Sequence, residues 1–429
     1  MEIKSKGRAV ALLPLLVFLA IYLVGSLVAG DFYKIPITVA GMIASVVAVM
    51  MVRGTLTERV DAYSRGATEP NIMLMIWIFV LAGAFAASTK QMGAVDATVA
   101  LTLRLVPAKF LPAGIFLAAC FTSLSVGTSV GTIVALTPIA SALATQTGCD
   151  VAWMVAIVVG GALFGDNLSF ISDTTIAATR TQGCSMRDKF RTNSWIVIPA
   201  AVVTLMLYGF SSDEIASSVA TVPETSWYTM LPYLLVLVTA IMGTNVLVVL
   251  VLGIISSGAI GVVSQKIDVI GWIGSMGDGI AGMGELIIIT MMAGGMLELI
   301  RLGGGIDFII NSLSKRINSR RTAESAIAML VMIADVCTAN NTVAIISVGS
   351  IVREIAEKFG ISARRAASLL DTFSCFAQGF LPYGAQLLMA AGLAKVSPVE
   401  IIPHLYYPFI MGGCALMAIV LQFPRYNKK

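Results

Sequence analysis

GDNLSFISD, residues Gly165 to Asp173, interrupts an otherwise apolar stretch and decides how the chain is read. It follows the run VAWMVAIVVGGALF (151–164), which places Asp166 and Asp173 at or near membrane depth. A carboxylate at the bilayer centre costs about 2.5–3.5 kcal/mol on insertion scales, so it is expected to face protein or water. Asn167, Ser169, Ser172, Thr174 and Thr175 surround the two acids. Such a segment makes a poor lipid-facing helix, but it offers side-chain oxygens and freed carbonyls to a hard cation. Irregular backbone at this depth survives only where it is buried or lines a cavity. The stretch therefore predicts half of an ion site on a broken helix. The alternative is a polar loop at the membrane surface, just ahead of Arg180.

Composition puts the rest of the chain in a membrane as well. Its 429 residues are 57% hydrophobic and 12% charged, where a soluble domain carries roughly 25% charge. Apolar windows of about 17 residues or more recur, and they read as helical spans rather than barrel strands. The basic residues lie in loops beside those spans, so the net charge of +4 is no sign of nucleic-acid binding. Cys120, Cys149, Cys184, Cys337, Cys375 and Cys414 are scattered without a C-x-x-C, which points neither to zinc nor to a disulfide framework. The N-terminal MEIKSKGR and its apolar run are longer than a signal peptide's, and a second span follows closely. An uncleaved first helix is expected.

In order, spans are expected at about 10–29, 36–52 and 72–88, then an interfacial amphipathic helix over 89–111. Residues 113–146 are interrupted by TSLSVGTSVGT and read as a re-entrant hairpin with its tip at Ser123 to Gly131. A span broken at GDNLSFISD covers about 151–179, and another runs over 194–210. The second half repeats this plan at a shift of 212 residues: Gly41 falls on Gly253, Ser45 on Ser257, Gly83 on Gly295 and Phe164 on Phe376. The unusual features align too, since SLSVGTS falls on DVCTANN (335–341) and GDNLSFIS overlaps QGFLPYGA (378–385), Asp166 meeting Gln378. Five crossings per repeat is an odd number, so the second repeat is expected to be inverted. Inverted repeats with paired helix breaks mark secondary transporters.

The fold class expected is thus an all-α polytopic membrane protein of two inverted repeats, 1–212 and 213–429. Each would hold five transmembrane helices and one re-entrant hairpin. Threading ten crossings puts 22 of the 28 Lys and Arg on the side of the N-terminus and six opposite, namely Lys34, Lys90, Arg104, Lys109, Lys266 and Lys395. The positive-inside rule makes the first side cytoplasmic, with both termini inside.

The second tip, Asp335 to Thr342, gathers one acid, two amides (Asn340, Asn341) and two threonines (Thr338, Thr342) inside an apolar segment. Its partner, Gln378 to Gln386, supplies Gln378, Tyr383 and Gln386 around the helix-breaking Pro382. The first tip carries Thr122, Ser123, Ser125, Thr128 and Ser129 among glycines; such residues also promote tight helix packing. Across these breaks stand three acids (Asp166, Asp173, Asp335) and no Lys or Arg, which suits cations. A carboxylate taken out of water favours its neutral form, so a proton and a sodium ion can compete for it. Asp371 reads as a second titrating group or a partner for Arg364 or Arg365. His404, the only histidine, reads as an interfacial anchor. No phosphate-binding loop indicates an ATP motor. An intramembrane hydrolase would need a Ser–His dyad or paired acids in a Gly-x-Gly-Asp setting, and neither is present. A pure channel is the other rival, disfavoured by the doubled architecture.

GDNLSFISDTT at 165–175 resembles, over its full length, the signature of the Na+/H+ antiporter NhaC family in the ion transporter superfamily. Asn340-Asn341-Thr342 is similar to hairpin tips of the wider superfamily. The resemblance implies a scaffold from 10–88 and 228–300, which would mediate a homodimer, and a transport part from 113–210 and 325–423 that moves as an elevator. It implies sodium ligands at Ser125, Thr128, Ser129, Asp166, Asn167, Ser169 and Asp173. Asp335, Thr338, Asn340, Asn341, Thr342, Gln378, Tyr383 and Gln386 would form a second-repeat ion or substrate site. No enzyme activity and no organic cofactor is implied, with Na+ and H+ as coupling ions in a bacterial-type cytoplasmic membrane. Family members also include exchangers of organic acids and amino-acid permeases, so sodium-coupled transport of a small carboxylate or amino acid is the second expectation.

Overall fold

A computed structural model describes residues 7–25, 28, 35–169, 172–210, 226–242, 244–314 and 317–424. Among these the regular elements are all helical. Among the described residues six helical stretches are long and apolar enough to cross a membrane: Ile72–Gln91, Ser129–Thr147, Val151–Gln182, Met186–Gly209, Val246–Val263 and Val269–Leu302. Shorter apolar helices, among them Ala9–Tyr22, Ile37–Met51 and Tyr406–Val420, stand at other expected spans. Exposed faces of several helices are apolar, with Trp77, Met206, Ile255, Ile273 and Leu416 all more than half exposed. That is the surface a helix turns to lipid rather than to water.

The 212-residue shift is written into the helix boundaries. Val151–Leu168 and Asp173–Gln182 map end for end onto Ala363–Phe380 and Ala385–Ala394. The first hairpin has arms Leu111–Val126 and Ser129–Thr147, and the second has arms Arg320–Thr338 and Asn341–Lys358. Their turning points correspond: Gly127 (φ 72°) and Ala339 (φ 51°) are both left-handed. The expected hairpins and broken helices are therefore present in both halves. Within 89–111, where an interfacial helix is expected, a separate helix runs over Ala94–Leu105, with Gly305–Ser314 at the matching place in the second half.

Val151–Leu168 and Ala363–Phe380 are buried on nearly every face and form the centre of the molecule. Val151–Leu168 is apolar nearly all round, as such a position asks, whereas Ala363–Phe380 buries polar side chains too, among them Arg365, Asp371 and Gln378. Each packs against its own hairpin. A Cβ on Gly161 would meet the Phe116 carbonyl at 2.7 Å, and one on Gly165 would collide with Ser123, so the first hairpin arm lies directly on the helix backbone. Away from this centre, Leu56–Ala67 crosses Gly284–Leu302 at Gly66 and Gly294, and Val269–Gly282 crosses Pro70–Gln91 at Gly279 and Gly83. These two crossings are repeat mates. Glycine at both contacts lets the backbones meet, the usual device between helices in a bilayer. Tyr63 ties the first crossing by donating to Ser45 Oγ (3.0 Å) and the Met292 carbonyl (3.3 Å).

Candidate ion and substrate site

The first broken helix ends at Leu168 and resumes at Asp173, and Asp166 sits in the last turn before the break. Its side chain is buried, and Oδ1 accepts the Ser129 backbone N–H at 3.0 Å. Ser129 opens the second hairpin arm, so the carboxylate lies at the positive end of a half-helix. The break frees the Asp166 carbonyl from the helix ladder, and the hydroxyls of Thr174 (3.1 Å) and Thr175 (3.4 Å) donate to it. Ser169, just past the end of the helix, donates to the Leu124 carbonyl at 2.9 Å and fastens the break to the tip.

The second repeat reproduces this arrangement with amides. Gln378, the repeat mate of Asp166, is fully buried and donates from Nε2 to the carbonyl of Ala339 in its own tip (3.3 Å). The same nitrogen donates to Gln386 Oε1 at 2.7 Å, whereas in the first repeat Thr174, the mate of Gln386, donates to the Asp166 backbone carbonyl. Gln386 then donates from Nε2 to Ser129 Oγ at 3.0 Å. A chain Asp166–Ser129–Gln386–Gln378–Ala339 thus joins the two sets of breaks. Asn340 caps its arm by accepting the Val343 N–H (3.0 Å), and its carbonyl accepts from Thr338 Oγ1 (3.1 Å). Asn341 is buried beside Cys375, and its Oδ1 accepts the Thr342 N–H at 3.0 Å. Tyr383 donates to the Val336 carbonyl at 2.8 Å. Asp335 is fully buried, and neither carboxylate oxygen has a hydrogen-bond partner. A buried carboxylate with no donor near it marks a place where a ligand or a proton completes the balance.

Asp173 starts the second half-helix with its side chain exposed, whereas Asp166 is buried. Thr128 is the half-buried N-cap of the second arm, and its carbonyl accepts from Thr132. The side chain of Ser125 lies outside the described residues.

Lys189 was not anticipated in the site. Counted with the cytoplasmic loop charges, it is instead fully buried, 2.6 Å from Asp371 Oδ2. Its ammonium also donates to the Asn167 carbonyl (2.6 Å) and to Thr175 Oγ1 (2.7 Å). Asn193, one turn on, donates to the same Asn167 carbonyl (3.1 Å) and to Asp371 Oδ2 (2.8 Å). The centre is therefore not purely anionic. Asp371 pairs with Lys189 rather than with an arginine, while Arg365 makes a separate buried pair with Glu324 at 2.9 Å. His404 lies 3.3 Å from Asp150, which also caps Val151–Leu168 through Ala152 N–H. The asparagine Oδ1 of residue 167 and Oδ1 of Asp371 remain buried without partners beside this pair.

Two helical repeats whose polar breaks meet at buried carboxylates define a polytopic membrane protein of the transporter class. Comparison with known proteins gives the family. The profile of the Na+/H+ antiporter family matches twice, over residues 6–212 and 213–423, and the chain belongs to that family. It is similar to the Na+/H+ antiporter NhaC of Alkalihalophilus pseudofirmus, 24% identical over 369 residues, or 78% of this chain and 79% of that protein. NhaC of Bacillus subtilis is 24% identical over 395 residues, 82% of this chain and 83% of the relative. The malate-2H+/Na+-lactate antiporter of the same organism is 21% identical over 445 aligned positions, 96% of this chain and 94% of its own. Among solved structures, the YdaH transporter of Alcanivorax borkumensis aligns at TM-score 0.41 with 15% identity, covering 85% of this chain and 87% of the other.

Proposed function

We propose that the chain exchanges Na+ for H+ across the cytoplasmic membrane, with Asp166 as the carboxylate for which the two ions compete. The observation that carries this is the position of Asp166: buried, at the tip of one hairpin, and linked through Ser129 and Gln386 to the breaks of the other repeat. A carboxylate in such a place holds either a proton or a small dehydrated cation, and oxygen donors from Thr174, Thr175, Ser129 and the freed carbonyls suit sodium. One shared acid gives exchange without further machinery.

Transport requires the site to face each side in turn. The hydrogen bonds of the site run among residues 113–210 and 325–423, and the glycine crossings tie 10–88 to 228–300. That division supports an elevator in which the first group moves against the second, with the second group holding a homodimer. Both termini lie in the cytoplasm in this reading, and the second repeat is inverted. The protein is a carrier, not an enzyme, and Na+ and H+ are its coupling ions.

Sodium-coupled movement of a small carboxylate or amino acid is the second reading, favoured by the likeness to a malate/lactate antiporter across 96% of this chain. Asn340, Asn341, Thr342, Gln378 and Gln386 would then hold the solute. Purified protein in liposomes with an internal pH dye separates the two. An imposed Na+ gradient should move protons with no organic solute present, and Asp166→Asn should abolish that movement. Proton movement that begins only when an organic acid or amino acid is added would replace the first reading by the second. Wild-type exchange in Asp166→Asn would remove Asp166 from the mechanism.

A further inference from the structure

Away from the polar breaks, a cleft of about 590 Å³ opens where the N-terminal helix, the end of Ile37–Met51, Leu56–Ala67 and the end of Gly284–Leu302 meet. That volume falls within the range of small-ligand sites. Four arginines line it, Arg8, Arg53, Arg59 and Arg65, against one acid, Glu58. Among the described residues none of the four has a carboxylate within ion-pair distance. Glu58 is engaged in a capping box, its Oε2 accepting the Thr55 N–H at 2.8 Å, which holds its carboxyl below the usual range. Arg59 donates from Nη1 to the Val49 carbonyl (3.2 Å), while its Nε is buried and has no hydrogen-bond partner. Arg8 is held at the cleft by its backbone N–H, which donates to the Gly304 carbonyl at 3.1 Å.

The wall beside these charges is apolar and open. Val10 is 65% and Leu302 50% exposed at the cleft, and Leu13 and Leu16 continue an exposed apolar strip along the N-terminal helix. A free anion would use only the arginines. A molecule with a phosphate at one end and hydrocarbon at the other uses both surfaces. Basic pockets between membrane helices on the cytoplasmic side suit anionic headgroups, and guanidinium matches phosphate geometry with paired donors. We infer that this cleft binds an anionic phospholipid, its phosphodiester among Arg53, Arg59 and Arg65 and its acyl chains over Val10, Leu13 and Leu16. The lipid would clamp the N-terminal helix to the scaffold, independently of the ion site.

The test uses the full chain in detergent, titrated with dioleoylphosphatidylglycerol and followed by native mass spectrometry and by thermal unfolding. Phosphatidylglycerol should bind stoichiometrically and raise the unfolding temperature, while dioleoylphosphatidylcholine should do neither. The exposed pair R53A/R65A should weaken phosphatidylglycerol binding roughly twenty- to thirty-fold. A control pair elsewhere, R321A/R353A, should change it by less than about three-fold, within the screened attraction of distant charges. The inference fails if R53A/R65A binds the lipid like wild type, or if both pairs lose binding equally. It also fails if inorganic phosphate alone gives the full thermal shift, because the site would then read an anion and not a lipid. R53A/R65A that unfolds at the wild-type temperature in phosphatidylcholine confirms that its loss of binding is not a loss of fold.

Discussion

Lys189 and Asp371 place opposite charges together in a space that water does not reach, with both side chains fully buried. Removing one partner of such a pair leaves an uncompensated charge and costs about 3–5 kcal/mol, whereas replacing both with apolar or neutral groups can be nearly neutral. Lys189→Met and Asp371→Asn should each lower the unfolding temperature sharply, and the double variant should recover much of the loss. Two singles whose effects simply add in the double would show that the charges do not act as a pair. Lys189→Arg should not substitute. The ammonium fits three oxygens at 2.6–2.7 Å, and a planar fork cannot reproduce that compact cage. This pair was hidden in the sequence because Lys189 stands between Arg187 and Arg191 and looks like a loop charge. The available signal was helical spacing. Lys189, Asn193, Val197, Ala200 and Thr204 fall on one buried stripe of Met186–Phe210, with Lys189 and Asn193 at its start. Asp166 was legible for the opposite reason: an acid inside an apolar run is costly, and composition alone exposes it. Asp173 shares that composition, yet its place at the head of a half-helix turns it outward, which only the coordinates decide.

At the scale of elements, the tips test the repeat. Gly127 and Ala339 occupy the same left-handed position, where a side chain costs about 1 kcal/mol or somewhat more and glycine costs nothing. Ala339→Gly should raise stability by up to about 1 kcal/mol, and Gly127→Ala should lower it by a similar amount. Thermal unfolding of both variants checks the sign, and shifts in the same direction would contradict the equivalence of the tips. A sharper loss belongs to Gly165→Ala, whose Cβ would collide with Ser123, side chain and backbone alike, where the hairpin arm meets the broken helix. Gly114→Ala, on the same arm with nothing near its Cβ, should be tolerated, and equal losses at the two sites would mean that close approach is not the cause. Breaks, tips and hairpin arms were readable because each is a local change of composition. Helix lengths were less so: Ile37–Met51 and Tyr406–Val420 are shorter than the spans read from hydropathy, since apolar residues continue past the last helical turn.

Over the whole molecule, the two repeats interlock rather than stand side by side. Lys189 reaches Asp371 at 2.6 Å, Gln386 reaches Ser129 at 3.0 Å, and Gln182 donates to the Gly349 carbonyl at 2.8 Å. Ser88 and Ser257 share a hydrogen bond at 2.8 Å, and Gly83 meets Gly279 at a backbone crossing. Every one of these contacts joins a residue before 213 to one after it, and most are buried. Separated halves would present unpaired charges and amides to lipid, where nothing replaces their partners. The 212-residue shift was legible in the sequence, but it predicts two similar units, not that each completes the other's interior. Neither 1–212 nor 213–429 should therefore accumulate as a monodisperse protein when expressed alone. Co-expressed, the halves should purify together and recover Na+-driven proton movement in liposomes, because the contacts between them re-form without the covalent link. A first half that stays folded and soluble in detergent by itself would mean that the buried cross-repeat pairs are dispensable, and with them the convergence on which the proposed ion site rests.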